Sequence, residues 1–113
     1  MKISYESIGY ANLLHDRENY RGKFDFPPQD KLEAIGKSME KNGLKNVPED
    51  LTCQPAEEVL GEKFKGQNIV KFGNIRLAAA GTCSPAFLAD AKFNCKVIAG
   101  RTAEQWRTAS INS

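Results

Sequence analysis

The sequence predicts a small α+β domain (mixed α/β), in which short helices alternate with the strands of a small sheet. Two patterns support this class: residues 31–41 place Leu32, Ile35 and Met39 on one helical stripe, and residues 67–72 form a largely apolar run typical of a buried strand. Helical and strand patterns then interleave through the rest of the chain. With 113 residues, the chain suits a single domain over residues 1–113.

The first quarter of the chain is predicted to be a strand followed by a loop. Residues 1–8 place Ile3 and Tyr5 on one face, which is the two-residue period of a strand. Residues 11–25 are polar and irregular, so they are interpreted as an ordered loop that ends at Pro27 and Pro28.

A helix is predicted to follow. Asp30 and Glu33 have the spacing of a capping box, in which two side chains satisfy the first backbone N–H groups of a helix. Asn42 and Gly43 are predicted to end this helix, because glycine reaches the left-handed conformation without a Cβ penalty.

The second half contains shorter elements. Residues 51–54 are predicted to be a strand, and Pro55 is predicted to begin a short helix that Gly61 ends. Residues 67–72 are the buried strand, Gly73 is a turn, and residues 75–80 are an alanine-rich helix whose small side chains allow close packing on a neighbour.

Two further helices flank a last strand. Ser84 and Pro85 have the pattern of an N-cap followed by proline, which predicts a helix over residues 85–91. Residues 93–98 form the strand, and Thr102 with Gln105 gives another capping box. The helix that this box opens carries Trp106, which is predicted to be a core anchor.

Composition leaves the type of partner open. The net charge is +2, from 16 basic and 14 acidic side chains, which neither indicates nor excludes a nucleic-acid surface. No apolar run suits a signal peptide or a membrane span. Three widely spaced cysteines and one histidine argue against a zinc site, so no metal ligands are predicted, and the free thiols favour the cytoplasm.

The strongest functional pattern is the junction at Gly73. A buried strand ends, glycine makes the turn, and a helix begins at once, so the N–H groups of Asn74 and Ile75 are directed toward one spot. The positive end of the helix dipole favours an anion there, and Arg76 supplies a forked cationic donor in the first turn. The alternative from spacing alone is an ordinary turn glycine beside a solvated arginine.

Other polar and reactive residues have simpler interpretations. His15 is predicted to be a surface or structural histidine, and Cys83 and Cys95 to be small buried side chains. Glu57, Glu58 and Glu62 are interpreted as a solvated acidic loop. Lys63, Lys65 and Lys71, with Phe64 and Phe72, have two interpretations: an exposed strand face, or a basic and aromatic surface for single-stranded nucleic acid.

Four stretches carry a family resemblance in the right order. They are residues 19–25 (NYRGKFD), 31–44 (KLEAIGKSMEKNGL), 73–79 (GNIRLAA) and 93–98 (FNCKVI). Together they resemble the N-terminal domain of ParB-type proteins, which shares its fold with sulfiredoxin. The third stretch matches the family's G-x-x-R-x-x-A motif and is the most specific. The likeness covers residues 1–112.

The resemblance implies a nucleotide pocket that binds a nucleoside triphosphate, CTP in ParB proteins, together with Mg²⁺. Gly73 would permit close approach of the backbone, and the N–H groups of Asn74 and Ile75 would face phosphate. Arg76 would neutralise phosphate charge, and Arg21 would reach in from the early loop. In ParB proteins nucleotide binding rearranges a DNA-bound dimer, so the implied partners are DNA or a DNA-bound protein and a second copy of the chain.

The sequence departs from its relatives at two places. Sulfiredoxins carry a cysteine and a histidine where this chain has Asn74 and Ile75, so their chemistry is rejected. ParB proteins usually carry glutamate and arginine there, which argues against nucleotide hydrolysis more than against binding. ParB proteins also continue into a metal-holding motif and a DNA-reading domain, so we expect either a fragment of a longer protein or a minimal relative.

Three functions follow as alternatives. The first is a ParB-like nucleotide-binding domain acting with DNA or a DNA-bound partner. The second is a non-catalytic interaction module that kept the fold without the nucleotide chemistry. The third is a nuclease or phosphotransferase, for which the sequence offers no convincing general base or metal-ligand set.

Overall fold

The computed structural model describes residues 1–16, 27–44 and 51–111, with side chains to residue 109. It is a mixed α/β fold with one five-stranded mixed sheet and short helices. The strands are β1 (Lys2–Gly9), β2 (Leu13–His15), β3 (Leu51–Pro55), β4 (Asn68–Phe72) and β5 (Lys92–Ala99). The helices are α1 (Gln29–Asn42), α2 (Glu57–Leu60), α3 (Asn74–Ala80), α4 (Pro85–Asp90) and α5 (Ala103–Ile111).

The sheet has the order β1-β5-β3-β4-β2. The β1–β5 and β3–β4 pairs are antiparallel, whereas β3–β5 and β2–β4 are parallel. β1 and β5 pair along their whole length, from Lys2 opposite Ala99 to Gly9 opposite Lys92. β1 therefore forms one edge of the described sheet, and β2 forms the other.

The main hydrophobic core lies on one face of the sheet. Alternate residues of β5, namely Phe93, Cys95 and Val97, are buried in it together with Leu32 and Met39 of α1. Because side chains alternate along a strand, Ile98 of β5 points to the opposite face, where it is only 2% exposed. Both faces of β5 are thus covered, which explains why its sequence is nearly continuously apolar at its end.

Helices α1 and α3 pack closely because both carry small residues at their contact. A Cβ placed on Gly36 of α1 would collide with the Thr82 hydroxyl and would lie 2.7 Å from the carbonyl oxygen of Ala79. Ala79 and Ala80 are fully buried. The close packing predicted from the alanine-rich segment is therefore confirmed, and it brings α3 firmly against the sheet.

Most predicted elements are present, with boundaries within a residue or two. Four predicted strands correspond to β1, β3, β4 and β5; they were predicted over residues 1–8, 51–54, 67–72 and 93–98. Two predicted helices correspond to α3 and α4; they were predicted over residues 75–80 and 85–91. The Ser84 hydroxyl accepts a hydrogen bond from the N–H of Phe87 (3.3 Å), as an N-cap should. Trp106 is 1% exposed, which confirms it as a core residue.

Three local predictions were wrong. The predicted loop over residues 11–25 contains β2, and its residues 17–26 lie outside the described part of the chain. Helix α1 begins at Gln29 with Pro28 as its N-cap, so Asp30 lies inside the first turn and cannot form the predicted capping box. Pro55 is the last residue of β3 rather than the first of a helix, because α2 begins at Glu57.

Across the described residues, no helix is both long enough and apolar enough to cross a membrane.

Candidate functional site

Parallel pairing of β2 with β4 creates the candidate site. Leu13 lies opposite Asn68 and His15 lies opposite Val70, so the carboxyl ends of both strands meet at one edge of the sheet. Asp16 follows β2 directly, and Lys71 lies next to the end of β4. Gly73 follows β4, so three chemically distinct features converge where two strands finish.

Gly73 makes the turn that the sequence predicts. Its φ of 103° and ψ of 18° are left-handed, which side chains other than glycine rarely adopt. A Cβ there would also collide with the side chain of Leu51 and would lie 3.2 Å from Nη2 of Arg76. The position therefore requires glycine for two reasons, conformation and space.

The backbone after Gly73 has the geometry of an anion-binding turn. Helix α3 begins at Asn74, and its first intrahelical bond runs from the N–H of Leu77 to the carbonyl of Gly73 (3.1 Å). The N–H groups of Asn74 and Ile75 come before that bond, and no side-chain cap is present at this end of α3 among the described residues. Such groups favour a negative charge.

The side chain of Arg76 folds back toward Gly73. The distance from its Nη2 to the Cβ position of Gly73 places the guanidinium directly beside the glycine. Its side chain is partly buried, whereas Ile75 is 40% exposed. The structure thus brings Gly73, Asn74, Ile75 and Arg76 together; Arg21 lies outside the described residues.

Asn74 has a structural role that sequence reasoning missed. Its side chain is 8% exposed, and its Nδ2 donates to the carbonyl of Val70 (2.8 Å). Its Oδ1 is left as the acceptor and lies 3.2 Å from Nδ1 of His15, so this imidazole nitrogen must carry a proton. The bonds tie α3 to the ends of β2 and β4, and they confirm His15 as a structural histidine.

A cavity of about 930 Å³ has His15 on its wall, and His15 connects it to the turn through the contact with Asn74. It lies between the ends of β2 and β4, helix α2 with the 3₁₀ turn Glu62–Phe64, and the start of α5. Its wall is apolar along Leu14, Val59, Leu60, Phe64, Ile69 and Trp106, and polar at His15, Asp16, Gln54, Glu58, Lys71, Arg101 and Thr102. An apolar wall with a few convergent polar groups is typical of a small-molecule site.

A buried ion pair forms part of the cavity wall. Nζ of Lys71 lies 3.0 Å from Oδ2 of Asp16, and the two side chains are only 8% and 7% exposed. Charges this deeply buried require partners, because desolvation of either one alone is costly. The earlier interpretation of Lys71 as part of an exposed strand face, or of a basic surface for nucleic acid, is therefore wrong.

Two cations flank the indole of Trp106. Nζ of Lys71 lies 5.5 Å from the ring centroid, and the guanidinium carbon of Arg101 lies 4.7 Å from it. Phe72 packs against the ring at a centroid distance of 6.4 Å and an angle of 49°. Within the described residues, Nε1 of Trp106 is buried without a hydrogen-bond partner. Positive charge and one unsatisfied donor thus lie at the cavity.

The capping box of α5 fixes the position of this wall. The N–H of Thr102 donates to Oε1 of Gln105 (2.8 Å), and the N–H of Gln105 donates to Oγ1 of Thr102 (3.1 Å). The box predicted from sequence is therefore confirmed. Opposite it, the carboxylate of Glu58 accepts from the N–H of Gly100 (2.9 Å), which joins α2 to the segment that carries Arg101.

No thiol belongs to this wall. All three cysteines are buried thiols outside any disulfide, so Cys83 and Cys95 are packing residues as expected. In the described ranges, no group of three or more histidine, cysteine, aspartate and glutamate side chains is arranged to hold a metal ion.

Sequence reasoning identified the turn but missed Asp16, Lys71 and Arg101. One signal was available: Lys71 interrupts the apolar run Asn68–Phe72, and a charge inside a buried strand usually has a buried partner. The identity of that partner was not available, because the parallel pairing of β2 with β4 joins segments more than 50 residues apart.

Comparison with solved structures identifies the architecture. The C-terminally truncated chromosome-partitioning protein ParB from Caulobacter crescentus, in complex with CTP-gamma-S, matches 96% of this chain with a TM-score of 0.62 and 14% identity. Sulfiredoxin from Arabidopsis thaliana matches 86% of this chain, and 86% of its own, with a TM-score of 0.51 and 15% identity. The chain has the ParB/sulfiredoxin fold.

The match to ParB covers 51% of that chain, so this chain spans about half of its length. No protein-family model matches the sequence. No curated protein matches it significantly either.

Proposed function

We propose that this chain is a ParB-like nucleotide-binding domain that binds a nucleoside triphosphate, with CTP favoured, together with Mg²⁺. The observation that carries the proposal is the guanidinium of Arg76 lying beside Gly73, at the start of α3. We propose that the domain acts in the cytoplasm with DNA or a DNA-bound partner.

In the proposed complex, the turn and the cavity bind different parts of the nucleotide. The triphosphate lies at the turn, where the N–H groups of Asn74 and Ile75 and the side chain of Arg76 meet its charge. The nucleoside extends into the cavity, whose volume of about 930 Å³ is ample for it. Mg²⁺ arrives with the nucleotide, because this ion is commonly held largely by substrate phosphates.

The surrounding charges support this orientation. Arg101 places a cation at the cavity wall beside Trp106, whose buried N–H has no hydrogen-bond partner among the described residues. The ParB structure that shares this fold contains CTP-gamma-S, which supports the choice of CTP over other nucleotides. Asn74 contributes its backbone only, because its side chain is committed to Val70 and His15.

Calorimetric titration of CTP, ATP and GTP with Mg²⁺ tests the proposal. We expect one nucleotide to bind, and Arg76→Ala to weaken binding about 10- to 100-fold, since hydrogen bonds to charged groups contribute about 1.5–3 kcal/mol. Lys37→Ala is the matched control, because Lys37 is an exposed cation on α1. Equal affinity in wild type and Arg76→Ala, with the fold intact, would contradict the site.

A protein-interaction module is the second candidate, and one observation favours it. The side-chain amide of Asn74 is turned into the fold, and Ile75 exposes 40% of its surface at the turn, where a polar residue would suit a nucleotide better. Under this alternative, none of the three nucleotides gives heat of binding. A tagged wild-type chain then recovers a stoichiometric partner protein that Ile75→Asp fails to recover.

A further inference from the structure

Within the described residues, strand β1 has no strand paired on its outer edge. It is the terminal strand of the described sheet and pairs with β5 through all eight of its residues, Lys2–Gly9. The backbone N–H and C=O groups that point away from β5 form a template for another strand. An edge of eight residues is long compared with the usual strand of about five or six.

The same edge exposes large apolar side chains. Met1, Ile3 and Tyr5 are 77%, 45% and 69% exposed, and they are three of the six exposed large hydrophobic residues in the described parts of the chain. Ile3 and Tyr5 project from one face of β1 because side chains two apart share a face. An exposed apolar edge of this length is a site for strand pairing.

The sequence of β1 is complementary to itself. When two copies pair antiparallel about a two-fold axis perpendicular to the sheet, equivalent side chains stay on the same face of the sheet. The axis must therefore pass midway between one residue and the same residue of the partner subunit, and each register is named by that residue. An axis through Ser4 places Lys2 opposite Glu6 of the partner subunit, and Ile3 opposite Tyr5 of the partner subunit. The first is an opposite-charge pair, and the second places an aromatic residue opposite a β-branched residue. Both kinds of cross-strand pair stabilise antiparallel strands.

Neighbouring registers lack this match. An axis through Ile3 places Lys2 opposite Ser4 of the partner subunit, and an axis through Tyr5 places Lys2 opposite Ile8 of the partner subunit. An axis through Lys2 or through Glu6 places identical charges opposite each other, which is unfavourable. Among these registers only the one centred on Ser4 uses both charges and both apolar residues.

We propose that two copies of this chain dimerise by antiparallel pairing of their β1 strands, centred on Ser4. The pairing joins two five-stranded sheets into one continuous sheet. Glu6 is already oriented at this edge, because Oγ of Ser4 donates to its Oε2 (2.8 Å). The inference is independent of the proposed nucleotide site, which lies where β2 and β4 end, toward the opposite edge of the sheet.

Disulfide crosslinking tests the register. Opposed residues of an antiparallel pair have Cα atoms about 4.5–5.5 Å apart, within the range for a disulfide. Under mild oxidation, Ser4→Cys should therefore give a covalent dimer on a non-reducing gel. Ser7→Cys is the control, because Ser7 lies opposite Met1 of the partner subunit and far from its own equivalent. The three native thiols are buried, so wild type should remain a single chain.

Equal crosslinking of the two variants, or crosslinking of Ser7→Cys alone, would overturn the register. Absence of crosslinking in both, with wild type monomeric in sedimentation equilibrium at all concentrations, would overturn the dimer. A chain that stays monomeric but adds an extended peptide along β1 would also refute pairing with a second copy.

A charge exchange gives an independent check. Lys2→Glu and Glu6→Lys each turn two opposite-charge pairs into like-charge pairs, so each should weaken dimerisation about tenfold in sedimentation equilibrium. The double variant restores opposite charges and should recover the wild-type dimer. Both side chains are exposed, so circular dichroism should show an unchanged fold. Failure of the double variant to recover the dimer would contradict the proposed pairs.

Discussion

At the scale of single residues, the Asp16–Lys71 pair is the least expected feature of this structure. The lysine was interpreted from sequence as an exposed residue, yet its side chain is 8% exposed and lies 3.0 Å from the carboxylate. Its neighbours Ile69 and Val70 are buried on opposite faces of β4, so both faces of the strand are covered at this point. The pair therefore joins the ends of β2 and β4 through charge as well as through backbone pairing.

Replacing one member of this pair should be costly. Lys71→Met removes the cation and leaves the Asp16 carboxylate buried, so we expect a loss of about 3 kcal/mol in the free energy of unfolding, measured by urea denaturation. The double variant Asp16→Leu/Lys71→Met should recover part of that loss, because no charge remains buried. Lys65→Met, at an exposed lysine, serves as the control. An unchanged midpoint in Lys71→Met would show that the pair contributes little.

The Gly73 turn shows how far single residues can be predicted. The left-handed turn at Gly73 was predicted correctly, because it depends on local sequence. The inward orientation of Asn74 could not be foreseen, because its partner His15 is 59 positions away in the chain. Local physics thus predicts the backbone of the turn, whereas long-range contacts decide the direction of its side chains.

At the scale of elements, capping patterns had mixed success for a clear reason. The box at Thr102 formed because α5 begins at Ala103, which places Thr102 at the N-cap position and Gln105 three residues after it. The box at Asp30 did not form because α1 begins at Gln29, so Asp30 is already inside the helix. β2 was missed because three residues are too few to show a period.

Removing the α5 cap should loosen one wall of the cavity. Thr102→Ala deletes the hydroxyl that accepts from the N–H of Gln105, so we expect a loss of about 1 kcal/mol, read as a lower melting temperature in circular dichroism. Thr108→Ala changes an exposed threonine on the same helix and should have a smaller effect. Equal losses in the two variants would mean that capping does not explain the change.

At the scale of the whole molecule, the class and most elements were predictable, but the sheet order was not. Periodicity indicates that β4 is a strand, yet only long-range contacts place β2 beside it and β5 between β1 and β3. The cavity combines four separate segments, so no single stretch of sequence could reveal it. The family resemblance supplied what periodicity could not, because it compared the order of features along the whole chain.

The buried thiols should make the free energy of unfolding decrease at alkaline pH. The pKa of the Cys53 thiol is raised, first by a hydrogen bond with Cys95 and then by burial. The negative charges of Cys95 and Glu6 nearby raise it further. Burial, and then Glu40, raise the pKa of Cys83. In the folded state these groups keep their protons above the ordinary thiol pKa of about 8.5, where the unfolded chain loses them. Their contribution to stability is therefore complete below that pH and falls above it.

Urea denaturation at pH 8, 9 and 10 measures this effect. We expect the free energy of unfolding to fall by up to about 1.4 kcal/mol per pH unit for each thiol once the unfolded chain ionises. Cys53→Ala removes one titrating group and should flatten the decline. A stability that does not change between pH 8 and pH 10 would contradict the raised pKa values.

The position of Trp106 also gives this protein a built-in optical signal. It is the single tryptophan of the sequence, it is 1% exposed, and two cations lie on its ring beside the cavity. Fluorescence excited at the red edge of the indole band therefore originates from one defined place in the fold. Whatever enters the cavity changes the surroundings of that one emitter, so occupancy can be followed in solution without attaching a dye.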